Sequence, residues 1–293
     1  MLVPFTDLVC PLDGAVLRLA EHGGAWVCSK GHSFDIAKQG YVNLLPVQHK
    51  RSKDPGDSKA MVAARREFLQ CGFYQPIAKA ISAVVRAEAA ARVDAEPCFT
   101  VLDAGCGEGY YLRELLEDAD IQRYPIAAVG LDISKWAVMA ASKTLDDVRW
   151  IVGTNAHLPI ADQSIDCVLC VFGFPVPSEF LRVLKPHGCL LMVEPDAGHL
   201  HELKNVIYAD VNQESERILT LDGFIHKESS HVRYLAELPN NQQIQNLFSM
   251  TPHYYRASAE GKQRVAELAS LKVQVAVGMH VFKGIETNGN PHE

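Results

Sequence analysis

The sequence lacks any apolar run near the ~20 residues that a membrane-crossing helix needs. It also lacks the basic-then-apolar N-terminal order of a secretory signal. Both absences lead to the expectation of a cytoplasmic protein with no membrane partner. Its eight cysteines, at 10, 28, 71, 98, 106, 167, 170 and 189, are without the regular spacing of a disulfide framework, so thiols are the expected state in a reducing compartment. No internal repeat and no low-complexity tract is present. Net positive charge is missing as well: 28 Lys and Arg against 35 Asp and Glu leave −7 over 293 residues. That excludes a molecule wrapped in positive potential, though not a local basic patch. Residues 1–75 hold nine basic and seven acidic side chains, net +2, which leaves −9 for the remainder. A polyanionic partner is therefore expected to meet the N-terminal part.

What is there is a globular composition, 48% apolar and 22% charged, on a chain long enough for about two domains of ~150 residues. The first 45 residues combine Cys and Gly with short apolar alternation such as Ala25-Trp26-Val27-Cys28 and no helical period, which predicts a small turn-rich β module. Residues 47–59 are polar, carry Lys50, Arg51, Lys53 and Lys59, and hold the turn signal Asp54-Pro55-Gly56, so an exposed loop is expected there. Helical patterns follow at 58–69, with Ser58 as a cap, and at 76–92, with Pro76 in the first turn. From Phe99 onward, apolar runs at 99–104, 126–132, 148–152, 165–172 and 189–194 alternate with amphipathic helices. That rhythm predicts an α/β fold, a parallel sheet with helices on both faces. The expected division is a β module at 1–45, a basic loop and connecting helices at 46–95, the α/β domain at 96–286, and a flexible tail at 287–293. The CxxC at Cys167 and Cys170 falls within an apolar strand and reads as core.

Two motifs carry chemistry. Phe99-Thr-Val-Leu-Asp103-Ala-Gly105-Cys-Gly107-Glu108-Gly109 is a strand running into a glycine-rich turn and then a helix, and Asp132 ends the next strand 25 residues after Gly107. Glycines let a ligand approach the backbone, and an acid at that place can accept both hydroxyls of a ribose. A dinucleotide fingerprint would set its third glycine where Tyr110 stands. The pattern instead resembles motif I of the class I S-adenosylmethionine methyltransferases. Leu184-Lys-Pro-His-Gly188 resembles the turn before their fifth strand. The resemblance implies that Gly105 and Gly107 face the methionine end of the cofactor beside Asp103, that Asp132 faces its ribose, and that Asn155 to Leu158, with His157 among them, face its adenine.

The second motif is Cys10-Pro-Leu-Asp13 followed by Cys28-Ser-Lys-Gly-His32. Two ligand pairs in a module with little core suggest a structural zinc, because a tetrahedral site contributes folding energy directly. Two cysteines, an aspartate and a histidine form an uncommon structural set, so weakened metal binding is expected.

Together with the segment from Gly40 to Asp57, Arg65-Arg66-Glu-Phe-Leu, Gly72-Phe-Tyr74-Gln-Pro and Met250-Thr-Pro-His-Tyr-Tyr-Arg256, these motifs closely resemble the bacterial 23S rRNA (guanine-N1)-methyltransferases. The resemblance implies a zinc-ribbon RNA-recognition module joined to a methyltransferase domain, usually acting as a dimer on a guanine in a 23S ribosomal RNA hairpin. It places metal ligands at Cys10, Asp13, Cys28 and His32, with Asp13 replacing a usual cysteine. Further cofactor contacts fall on Tyr74, the Gly107-Glu108 pair and His199. The stretches Phe172-Gly-Phe-Pro-Val-Pro177 and Glu194-Pro-Asp196 depart from the family's usual sequence.

Methylating guanine N1 requires removal of its proton, and Glu194, Asp196, His157 and His199 are candidate bases at strand ends. The base must leave its stack, and Phe172, Phe174 and Tyr111 are candidate aromatic partners. Lys50, Arg51, Lys53, Arg65 and Arg66 are expected to neutralise RNA phosphates. Two other readings fit parts of the pattern: a methyltransferase for a small molecule, and a zinc-ribbon RNA binder that keeps the cofactor fold without transfer.

Overall fold

The computed structural model describes residues 1–50, 52–92, 98–210 and 220–285; the tail expected at 287–293 lies outside them. Strands Leu17–Leu19 (β1), Ala25–Cys28 (β2) and Ser33–Asp35 (β3) form a small antiparallel sheet. Val42–Asn43 (β4) then leaves this module and leads through the 47–59 segment to helices Lys59–Gln70 (α1) and Gln75–Ala91 (α2). The expected cap is present, since Ser58 accepts from the Met61 N–H, and Pro76 lies in the first turn of α2.

The larger unit contains Phe99–Ala104 (β5), Tyr110–Glu117 (α3), Ile126–Asp132 (β6), Lys135–Ala141 (α4), Arg149–Val152 (β7), Ile165–Val171 (β8), Pro177–Val183 (α5) and Leu184–Pro195 (β9). His201–Ile207 (α6), Phe224–Leu238 (β10), Asn241–Ser249 (α7), His253–Arg256 (α8), Ala259–Glu267 (α9) and Leu271–Gly284 (β11) complete it. The sheet runs β10-β11-β9-β8-β5-β6-β7-β4. Its six strands from β9 to β4 are parallel, β11 is antiparallel to β9, and β10 is antiparallel to β11. The chain moves from β5 to β6 on one side and later to β8 on the other. Strand order thus reverses at β5, the place where α/β sheets leave a crevice at their carboxyl ends.

Alternate residues of the central strands feed two cores. Val101, Ala128, Cys167, Leu169 and Leu191 pack with Ile77, Leu112, Val138, Leu203, Leu247 and Val265, all from helices. Leu102, Ala127, Val129, Cys170 and Leu190 pack with Phe180 and Val183 of α5 and with Phe5, Leu8, Leu17, Trp26, Val42 and Leu44. The expectation of helices on both faces is therefore met on one face and modified on the other, where the N-terminal β module takes much of the place of helices. The reason is in the pattern: Leu17, Trp26 and Cys28 are apolar and buried, and a module this small gains more by burying them on the sheet than among themselves.

Candidate active site and metal centre

The two glycine turns of the N-terminal module gather its metal-type ligands. Gly14 and Gly31 have φ of 72° and 87°; each closes a tight turn by donating its N–H to the carbonyl of Cys10 and Cys28 respectively. The turns bring Cys10, Asp13, Cys28 and His32 together, with one ligand atom of each within 4.8 Å of all the others. His32 Nδ1 lies 3.5 Å from both Cys10 Sγ and Cys28 Sγ, and Cys28 Sγ is 3.6 Å from Asp13 Oδ2. Bonds of ~2.3 Å to sulfur and ~2.0–2.2 Å to nitrogen and oxygen in a tetrahedron set sulfur about 3.5 Å from its nitrogen or oxygen neighbours, so the four residues fit zinc. His32 Nδ1 to Asp13 Oδ2 is shorter, at 3.0 Å. Asp13 Oδ1 accepts from the Ala15 N–H at 2.9 Å, which orients the carboxylate toward the cluster in the manner of an outer-sphere hydrogen bond.

At the carboxyl ends of the parallel strands, Gly105, Gly107 and Gly109 all have positive φ. The Gly107 N–H donates to Asp132 Oδ2 at 2.9 Å, and Ser134 N–H donates to Asp132 Oδ1 at 2.7 Å. Burial raises the Asp132 carboxyl above its ordinary value, against the pull of those two backbone donors. Gly109 and Gly130 have a second cause, the Trp150 ring: a Cβ on Gly130 would overlap it, and one on Gly109 would come within 2.7 Å. Trp150 is buried and donates its indole N–H to the Leu145 carbonyl at 3.0 Å. Sequence reading gave the third glycine no such role, because the ring that requires it lies two strands away.

Buried acceptors without a hydrogen-bond partner mark this crevice: both carboxylate oxygens of Asp103 and of Glu108, and Oδ1 of Asn155. Burial, and then the charge of Asp132, pushes the Asp103 carboxyl up to about 8. Burial also raises Glu108, partly offset by Arg113, Arg66 and Arg65; Arg113 Nη2 is 3.7 Å from Glu108 Oε1. Asn155 uses its amide to donate to the carbonyls of Ala104 and Phe174, at 3.3 and 3.4 Å, and so ties the end of β5 to the loop after β8. The Leu158 N–H is already taken by Glu179 at 2.7 Å.

Tyr74, Phe172 and His199 form one ring cluster beside the crevice. Phe172 stacks on His199 at 6.0 Å, and Tyr74 lies 6.1 and 6.4 Å from the two. Tyr74 and His199 are buried. His199 Nδ1 accepts the Ala276 N–H at 3.2 Å, which leaves the proton of the neutral ring on Nε2. Phe172 ends the run expected as strand through 172; β8 stops at Val171 because Phe172 turns into left-handed space at φ 52°. A non-glycine residue held there stores strain of the kind found at functional sites. The ring is 37% exposed, and Phe174, two residues on, is 89% exposed.

Among the candidate bases, Asp196 is committed. Arg233 Nη2 and His231 Nδ1 each lie 2.8 Å from its Oδ2; burial would raise its carboxyl, but these partners hold it below the usual value. His157 is exposed and lies against His49 at 4.7 Å. Glu194, the penultimate residue of β9, is half-buried; the Cys170 thiol, raised first by burial, also feels its charge and that of Asp103.

The basic residues divide. Lys53 is exposed and Lys50 half-buried on the 47–59 segment, while Arg51 lies outside the described residues. Arg65 instead faces the glycine loop, with Nη1 3.3 Å from the position of a Cβ on Gly107 and 2.7 Å from Asp57 Oδ2, and its charge and that of Arg66 act on Glu108. The segment read as an exposed loop is anchored. The Leu44 N–H donates to the Val152 carbonyl, the Ser134 hydroxyl donates to the Asp57 carbonyl at 2.7 Å, and a Cβ on Gly56 would come within 2.9 Å of Ile133 and Ser134. Leu44, Asp57 and Arg65 thus stand by the ends of β7, β6 and β5 in turn.

Comparison with known proteins agrees with this geometry. The zinc-ribbon family described as "RlmA, N-terminal" matches residues 8–53, and a methyltransferase domain matches residues 101–188. YxjB of Bacillus subtilis, provisionally named a 23S rRNA (guanine-N(1)-)-methyltransferase, is 31% identical over 94% of this chain and 96% of its own length. A protein of Micromonospora griseorubida with the same provisional name is 39% identical over 67% of this chain and 68% of its own. The 23S rRNA (guanine(748)-N(1))-methyltransferase of Streptomyces fradiae is 35% identical over 68% of this chain and 67% of its own. No helix among the described residues is long and apolar enough to cross a membrane. With a class I methyltransferase sheet, a cluster of zinc-type ligands in a small β module and relatives matched over most of its length, the chain belongs to the 23S rRNA (guanine-N1)-methyltransferase family.

Proposed function

We propose that this protein methylates N1 of a guanine in 23S ribosomal RNA, in the cytoplasm, with its N-terminal module as the RNA-recognition part. The observation that carries the reading is the juxtaposition, at the carboxyl ends of β5 and β8, of buried acids, Asp103 without a hydrogen-bond partner and Glu108 facing Arg113, with a strained, half-exposed aromatic ring. S-adenosylmethionine supplies a methyl group on a sulfonium when bound, and its cationic end suits a crevice lined by Asp103 and Glu108. Asp132 offers the ribose its carboxylate, Asn155 offers the adenine its Oδ1, and Gly105 and Gly107 admit the chain between them.

The remaining work falls to residues of this chain. Phe172 gives the extracted guanine a face to stack on, and the Tyr74 and His199 rings back it. Asp196, held in its ion pairs, is a poor acceptor, and Glu194, the penultimate residue of β9, is assigned the N1 proton. Closing these rings over the reacting atoms excludes water and fixes the line of attack. Lys50, Arg51 and Lys53 meet phosphates, and the dimer implied by the resemblance is carried forward here. Glu194→Gln is expected to lower kcat about 100-fold or more with cofactor affinity unchanged; an unaltered rate removes Glu194 from the role.

The test of the function is incubation with labelled S-adenosylmethionine and unmodified 23S rRNA, followed by primer extension. A methyl on N1 blocks pairing, so the expected result is label together with one new stop beside a guanine. Label without a stop assigns another atom. Binding of cofactor without label in RNA moves the reading to a small-molecule substrate or a non-catalytic RNA binder.

A further inference from the structure

Arg65 stands where an RNA-phosphate ligand was expected, and the fold turns it inward. Its Nη1 is 3.3 Å from the position of a Cβ on Gly107, so the guanidinium rests on the glycine loop itself. Two contacts hold it there: Nη1 at 2.7 Å from Asp57 Oδ2, and Nη2 donating to the Met250 carbonyl at 3.4 Å. Asp57 is in turn fixed by the hydrogen bond from Ser134, the residue whose N–H also orients Asp132.

The charges around the loop make this placement informative. Asp103, Glu108 and Asp132 put acidic oxygens round one crevice, and a ligand carboxylate entering it has no complementary charge to meet unless a cation is there. Arg113 faces Glu108. Arg65 is the cation lying on the loop, and its charge acts on both Glu108 and Asp132. The amino-acid end of S-adenosylmethionine is a zwitterion: its ammonium group suits the partnerless oxygens of Asp103, and its carboxylate requires a donor fork nearby. A guanidinium has five N–H donors, of which Asp57 and the Met250 carbonyl take two.

We propose that Arg65 binds the α-carboxylate of S-adenosylmethionine, with Asp57 as the positioning residue that aims the guanidinium at the glycine loop. The assignment rests on the cofactor reading and deepens it, and it removes Arg65 from the RNA-binding set.

The test is calorimetric titration of the full chain with S-adenosylhomocysteine and with 5′-methylthioadenosine, which keeps the adenosyl thioether and lacks the amino-acid end. Arg65→Ala is expected to weaken S-adenosylhomocysteine by about tenfold or more and to leave 5′-methylthioadenosine within about twofold. Arg65→Lys, which keeps the charge and loses the fork, is expected to fall between. The second ligand doubles as a control for folding. Equal loss of both ligands, or unchanged S-adenosylhomocysteine affinity, overturns the assignment. Asp57→Asn, which releases the guanidinium from its anchor, is expected to weaken S-adenosylhomocysteine by less than Arg65→Ala and to spare 5′-methylthioadenosine; unchanged affinity for both removes Asp57 from the positioning role. Failure of the unaltered chain to bind S-adenosylhomocysteine at all overturns the cofactor reading and this assignment together, a result distinct from binding that is indifferent to Arg65.

Discussion

The metal cluster and the cofactor crevice are both built on glycine turns, and they use them in opposite ways. Around Gly14 and Gly31 the turn aims side chains inward, and all four ligands lie within a few residues of a glycine. Around Gly105 to Gly109 the turn gives the backbone room, and further functional groups arrive from the ends of other strands and from α1: Asp132, Asn155, Phe172 and Arg65. The first is a local construction and the second a tertiary one. They therefore differ in what breaks them and in how much of each can be read in the sequence.

The largest expected contrast comes from the metal cluster. Cys28→Ala is expected to take zinc content from one per chain to none and to remove hydrogen-exchange protection from β1 to β3, because bound zinc stabilises such modules by several kcal/mol. S-adenosylhomocysteine affinity is expected to change less than about threefold, since no cluster residue lines the crevice; a matching loss of affinity would merge the two sites. Next come the glycines themselves. Gly130→Ala forces a Cβ into Trp150, and such overpacking costs about 1–3 kcal/mol. Gly14→Ala meets nothing within 4 Å and strains only its φ of 72°, at about 1 kcal/mol. Denaturant titration ranks the two, and a reversed order would contradict the distinction between a turn shaped by packing and one shaped by conformation alone.

A smaller effect sharpens the electrostatic side. The Asp103 carboxyl titrates near 8 in the folded chain, above its ordinary value of 3.8. The fold therefore keeps a proton that the unfolded chain releases. Its contribution to stability is full below pH 4 and is lost as pH rises toward 8. Melting temperature should fall more steeply between pH 5 and 8 in the unaltered protein than in Asp103→Asn, and equal slopes would show that the burial has no such consequence. The smallest change is expected at the linker's outer surface. Lys50→Gln and Lys53→Gln should each reduce the salt slope of 23S rRNA binding by about one, with S-adenosylhomocysteine affinity unaltered; a fall in that affinity would mean the linker's outer face shapes the crevice.

These differences also explain what was legible. The zinc-type set was readable because ligand identity and turn glycines are adjacent in the chain. The placement of Asp132 beside Gly107 was readable because one helix and one strand separate the two, a spacing that a β-α-β unit imposes. The role of Arg65 was not: as one of a basic pair on an amphipathic helix it looks like a solvated charge, and only its contacts with Asp57, itself held by Ser134, turn it inward. That Asp196 is held in ion pairs was not legible either, because its partners, His231 and Arg233, lie on β10, more than 30 residues away. The parallel part of the sheet was legible from the alternation of apolar runs and helices; the strand order, the antiparallel β10 and β11 and the addition of β4 were not. The burial of the small module on one face was not, since no periodicity announces which apolar residues will meet.

The central claim is that the tertiary site transfers a methyl group to guanine N1 on 23S rRNA. Its most direct test is chromatography and mass analysis of nucleosides from unmodified 23S rRNA after reaction with the protein and S-adenosylmethionine. The account predicts 1-methylguanosine approaching one per RNA molecule; a different methylated nucleoside, or none from a protein that binds S-adenosylhomocysteine, would contradict it.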